Sequence, residues 1–136
     1  MNLVSTRIIT DDINRFVSFY EKVTQMKISL YTSDFAELNT KTSTLAIGSM
    51  RTLQFFGGQE VAQPAQNRSS IIEFLVDDVD HEYERLKEFL KPYLVQAPTT
   101  MPWGNRSLLF RDPDNNLVNL FTPATPEAIK KFEGKL

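Results

Sequence analysis

A chain of 136 residues with 15 Lys+Arg, 17 Asp+Glu, one His and no Cys has the size of one domain and can bury roughly two thirds of the surface its unfolded form exposes. The missing cysteines exclude disulfides, thiolate metal sites and a Cys nucleophile, and a single His81 excludes any site needing two imidazoles from one chain. A formal charge of -2 gives no electrostatic footprint for nucleic acid. No apolar run approaches the ~20 residues of a membrane span, and Met1–Arg7 shows no basic segment followed by an apolar stretch, so a cytoplasmic protein is expected.

In chain order, an extended apolar-rich stretch from Val4 stops at Asp11-Asp12, and a second one from Ser70 stops at Asp77-Asp78. Both acidic pairs precede a helical pattern. Ile13, Phe16, Val17, Tyr20 and Val23 share one stripe, as do Val79, Tyr83, Leu86 and Leu90. An Asp just before each helix suits the N-cap and the positive end of the helix dipole, which makes these pairs caps rather than catalytic dyads.

Extended segments follow each helix. The first half offers Lys27–Tyr31, Phe35–Thr40, Ser43–Ile47 and Thr52–Phe56, and the second offers Leu94–Ala97, Arg106–Arg111 and Leu117–Thr122. Asp112-Pro113-Asp114-Asn115-Asn116 reads as a tight reversal, with Pro113 fixing one φ and Asn115 or Asn116 free to turn left-handed. Thr125-Pro126-Glu127 opens a last helix, Thr as cap and Pro at its first position. The expected organisation is one module over about 1–58, a linker over about 59–68, a second module over about 69–122 and a C-terminal helix over about 125–134.

Period-two sorting places Leu108, Phe110, Val118 and Leu120 in one apolar row facing a helix. The opposite row, Ser107, Leu109, Leu117, Asn119 and Phe121, mixes polar and aromatic groups and suits the wall of a partly wet cavity.

These features resemble the vicinal oxygen chelate superfamily: glyoxalase I, bleomycin-resistance proteins and extradiol dioxygenases. The residues that carry the likeness are Thr10-Asp11-Asp12-Ile13 with Phe19-Tyr20, Val76-Asp77-Asp78-Val79, Pro102–Ser107 and, most specific, Phe110–Leu120. The resemblance implies an α+β fold of two βαβββ modules whose curved mixed sheets surround a cup, often completed by a second subunit, so a homodimer is expected. It also implies, in metal-dependent members, a divalent ion held by His, Glu or Gln on the first and last strands of each module. Carried onto this chain those places are Ser5, Gln54, Ile71 and Asn119, with no imidazole or carboxylate among them. Such a set gives a transition metal or Mg²⁺ little reason to leave water, and no metal or other cofactor is expected.

The expected function is metal-independent binding of a mostly apolar or aromatic small molecule, with an atypical lyase, isomerase or dioxygenase-like enzyme as the alternative. Ser5, Arg7, Gln54, Phe56, Glu73, Trp103, Asn119 and Phe121 are the expected ligand contacts, with Phe35 adding aromatic wall. Arg7 and Glu73 hold equivalent places in the two halves. They are expected to pair with each other, or else to hold ligand groups, with Glu73 as the one candidate base. His81 lies off its helix stripe and is expected at the surface.

Overall fold

The computed structural model describes residues 1–58 and 60–136 and forms two compact units, Met1–Asn67 and Arg68–Leu136. The predicted linker over 59–68 begins at Gln59, which lies outside the described residues. No helix among the described residues is long and apolar enough to cross a membrane.

The first unit runs β1 (Ser5–Ile9), α1 (Ile13–Thr24), β2 (Ser29–Thr32), β3 (Phe35–Asn39) and β4 (Thr44–Gly48), then a 3₁₀ turn at Met50–Leu53. Its sheet order is β1-β4-β3-β2, with β1 parallel to β4 and the other pairs antiparallel. The second unit repeats this plan with β5 (Ile71–Leu75), α2 (Val79–Leu90), β6 (Leu94–Thr100), β7 (Asn105–Arg111) and β8 (Leu117–Pro123), in the order β5-β8-β7-β6. A last helix, α3 (Pro126–Phe132), follows.

The repeat read from the acidic pairs is the repeat of the fold. Asp12 caps α1 by accepting from the Arg15 N–H, and Asp78 caps α2 by accepting from the N–H groups of Asp80 and His81. Each cap satisfies donors that a helix start would otherwise leave open. Thr125 does the same for α3, with Pro126 at its first position.

In the first unit α1 buries Phe16, Tyr20 and Val23 near Ala36, Leu38, Leu45 and Ile47 of β3 and β4. In the second, α2 buries Val79, Leu86 and Leu90 near Leu108, Phe110, Val118 and Leu120, the row expected to face a helix. Each such side chain stabilises the fold by roughly 1.5–3 kcal/mol through burial. Arg106 of β7 adds a two-point ion pair to Asp80 in the first turn of α2, at 2.8 and 2.9 Å. The guanidinium holds the Asp80 carboxyl below its ordinary pKa.

Two elements differ from expectation, and the first of them moves a predicted site residue. Thr52–Phe56 is not a strand. Ser49 accepts from the Arg51 N–H and donates to Asp34, whose carboxylate also takes the Arg51 guanidinium at 2.9 Å, and these bonds wind the chain into a 3₁₀ turn. Gln54 is therefore not on the last strand of the first module; it is exposed at the end of that turn, and the last strand is β4. Finally, β6 continues through Pro98 to Thr100, because β6 is the sheet edge and its pairing is irregular between Gln96 and Thr99. Both circumstances let a strand carry a residue without an N–H donor.

Candidate functional site: two sheet faces

Each sheet has one face under its helix and another that carries polar and aromatic side chains. In the first unit that second face is set by register. Ser5 lies opposite Thr44, Arg7 opposite Ala46 and Ile9 opposite Gly48, and β3 continues the rows with Glu37 opposite Ala46 and Phe35 opposite Gly48.

The small residues decide where Arg7 goes. A Cβ added at Gly48 would stand 3.5 Å from Arg7 Cδ, so the aliphatic stem of Arg7 lies over a position that has no side chain. Its guanidinium carbon then reaches 5.0 Å from the centre of the Phe35 ring and 5.5 Å from that of Phe56. Tyr31 stacks on Phe35 from the other strand of the hairpin, at 6.1 Å and 27°. Phe56 is brought back by the turn after Leu53, whose carbonyl accepts from Phe56 and Gly58 with Gly57 at φ +105°. Among the described residues of its unit, Arg7 makes no hydrogen bond and no ion pair. The rings lie within cation–π range of its charge, and the exposed side chain keeps its N–H donors available.

The second unit has the equivalent face. Ile71, Glu73 and Leu75 of β5 lie opposite Leu117, Asn119 and Phe121 of β8, and β7 adds Arg111, Leu109 and Ser107 in the same rows. Asn119 donates from Nδ2 to Glu73 Oε2 at 2.8 Å. Its Oδ1 is buried and has no hydrogen-bond partner among the described residues, while the residue as a whole is 7% exposed. Glu73 is exposed.

Of the other expected contacts, Ser5 is exposed at the start of β1 and Ile71 is exposed on β5. Phe121 is buried and packs edge-on against Phe132 of α3 at 5.0 Å, so it braces the helix. Trp103 is 70% exposed at the tip of the β6–β7 turn. The turn is closed by Gly104 at φ +95°, where a Cβ would collide with the Thr125 side chain. His81 is exposed, as expected. Sequence reading missed Tyr31 and the roles of Ala46 and Gly48. Their signal was two small residues two apart on a strand, which clear a lane for a long neighbour.

A family model for the Glyoxalase/Bleomycin resistance protein/Dioxygenase superfamily matches residues 2–120. The chain belongs to this superfamily. Protein YwbC of Bacillus subtilis (strain 168) is 27% identical over 121 residues, spanning 85% of this chain and 93% of that one. A glyoxalase/bleomycin resistance protein/dioxygenase family enzyme from Burkholderia phytofirmans PsJN superposes with a TM-score of 0.77 at 17% identity, over 90% of this chain and 99% of that one. A glyoxalase/bleomycin resistance protein/dioxygenase from Nocardioides gives a TM-score of 0.73 at 19% identity, over 93% and 85% of the two chains. These two structures share the fold: two four-stranded mixed sheets with helices.

The divalent ion known from metal-dependent members of this superfamily does not fit the residues found here. Arg7, a cation, stands in the first unit where Glu73 stands in the second. Glu73 is the one carboxylate in its rows, and one of its oxygens is engaged by Asn119. Glu37 is the one carboxylate in the first unit's rows, across Ala46 from the Arg7 cation; Ile71 offers only carbon, and Ser5 and Thr44 offer neutral hydroxyls. No group of three His, Cys, Asp or Glu side chains able to hold a metal gathers among the described residues. Divalent ions at protein sites need anionic or imidazole donors in number, and these faces do not supply them.

Proposed function

We propose that this superfamily member is a metal-independent binder of a mostly apolar or aromatic small molecule, working with a second copy of the chain as partner. The observation that carries the reading is Arg7, its guanidinium carbon over the rings of Phe35 and Phe56, with no polar partner among the described residues of its unit. Phe56 and Tyr31 are 62% and 60% exposed, so aromatic surface stands open around a cation. Water is a poor partner for those rings, whereas a flat ligand with an acidic edge meets both features. Its ring stacks on the aromatic surface and its carboxylate takes the guanidinium fork.

The test is a thermal-shift screen of aromatic carboxylates and drug-like aromatics on protein treated with a chelator. A ligand at one hundred times its Kd adds about 2.7 kcal/mol, which raises the melting temperature by roughly 5–10 °C. Stabilisation without added metal is the expected result. A library in which nothing stabilises the protein, or only ligands supplied together with a divalent ion do, contradicts the reading.

A further inference from the structure

We propose that the open face of the first unit receives an aromatic zwitterion, a flat molecule with an ammonium close beside its carboxylate, as in an aromatic α-amino acid. Glu37 is the acceptor for the ammonium. This deepens the binding reading above and rests on it.

Sheet register places the two charges. Arg7 of β1 and Glu37 of β3 both lie opposite Ala46 of β4, so they stand in one row on either side of it. Neighbouring strands are about 4.8 Å apart, which sets the two backbones about 10 Å apart, a span that two long side chains could close. They do not close it. Arg7 runs over Gly48 instead, and its guanidinium reaches the next row, above the Phe35 ring. The Glu37 side chain makes no hydrogen bond and no ion pair among the described residues. It is half-buried, and neither of its oxygens is a buried unpaired atom, so both keep accessible surface.

The face between them is shallow. Ala46 is buried at 3% exposure, so there is no hole at that point, and a ligand head meets the polar ends of Arg7 and Glu37 from outside. Aromatic surface adjoins the pair: Phe35 precedes Glu37 by two residues on β3, with Tyr31 stacked on it and Phe56 near the same guanidinium. A ring seated there carries its charged end to both residues at once. An aromatic carboxylate without an amine would satisfy Arg7 but bring a second negative charge toward Glu37. An aromatic amine without a carboxylate would meet repulsion from Arg7. A zwitterion answers both charges.

The experiment is calorimetric titration of the full chain with L-phenylalanine and with 3-phenylpropionate, the same skeleton without the ammonium. Phenylalanine is expected to bind at least about fivefold more tightly, between the effect of an exposed ion pair and that of a charge-assisted hydrogen bond. Glu37→Gln is expected to erase that difference and to bind 3-phenylpropionate no more weakly than the parent does; its thermal unfolding reports that it is folded. Equal affinity for the two compounds in the parent overturns the proposal. So does phenylalanine affinity that is unchanged or raised in Glu37→Gln, the result expected if the carboxylate only screens Arg7. If 3-phenylpropionate binds in either case, the aromatic-carboxylate reading stands and only the ammonium subsite falls. Binding of neither compound also overturns the subsite, and the broader thermal-shift screen then decides the reading beneath it.

Discussion

Replacing Asp112 with alanine is expected to cost about 3 kcal/mol and to lower the melting temperature by about 10 °C. Asp112 is 1% exposed. Its Oδ1 accepts from the N–H groups of Asp114 and Asn116 at 2.9 Å, and its two oxygens accept from the Asn116 side-chain amide at 3.2 and 2.9 Å. Asn116 is itself buried, at 4% exposure. Alanine would leave the donors of Asn116 buried without an acceptor, and the penalty comes from that desolvation more than from the bonds themselves. Asp112→Asn retains one carbonyl acceptor for the Asn116 N–H and should lose less than half as much. Urea unfolding of both variants checks this, and an alanine variant within about 1 kcal/mol of the parent contradicts it. The turn also matters for function, because it joins β7 to β8 in the register that sets Leu109 opposite Asn119.

Arg7→Ala is expected to weaken an aromatic carboxylate found by the screen by roughly 10- to 100-fold, the range of one charge-assisted or bidentate hydrogen-bond set. Stability should move little. The residue is exposed, and each exposed cation–π contact contributes about 0.5–1 kcal/mol. Arg7→Lys keeps a positive charge over the rings but loses the planar fork, so it should recover only part of the affinity. Calorimetric titration with the three proteins gives the comparison. Equal affinity in Arg7→Ala would remove the first-unit face from the binding site.

The repeated half of the fold was legible because its signals are local. Asp12 and Asp78 cap helices that begin at the next residue, and both helices carry an apolar stripe at helical spacing. The β7–β8 pairing was legible for a similar reason: Asp112–Asn116 is a turn with its own chemistry, and Asn115 does adopt the left-handed conformation at φ 65°. Thr52–Phe56 misled because Leu53 and Phe55 alternate with polar residues as a strand would. What overrides that pattern is a bond network reaching back to Asp34, fifteen residues before Ser49, which no local window contains.

The site was legible residue by residue but not as an arrangement. Arg7, Phe56, Glu73 and Asn119 could be named from strand alternation and resemblance. That Arg7 rests on Phe35 and Phe56 depends on Gly48 and Ala46 leaving room, and on a turn that folds Phe56 back. That Asn119 serves Glu73 depends on the parallel register of β5 and β8, because Ile71 shares the face but pairs with Leu117. Parallel pairing between strands distant in sequence leaves no short-range trace.

The most direct measurement is calorimetric titration of the stabilising ligand into chelator-treated protein, repeated after adding Ni²⁺, Zn²⁺ or Fe²⁺. Equal affinity in both conditions, with no ion retained through dialysis, is the expected result. Affinity that appears only once one divalent ion per chain has bound would contradict metal-independent binding.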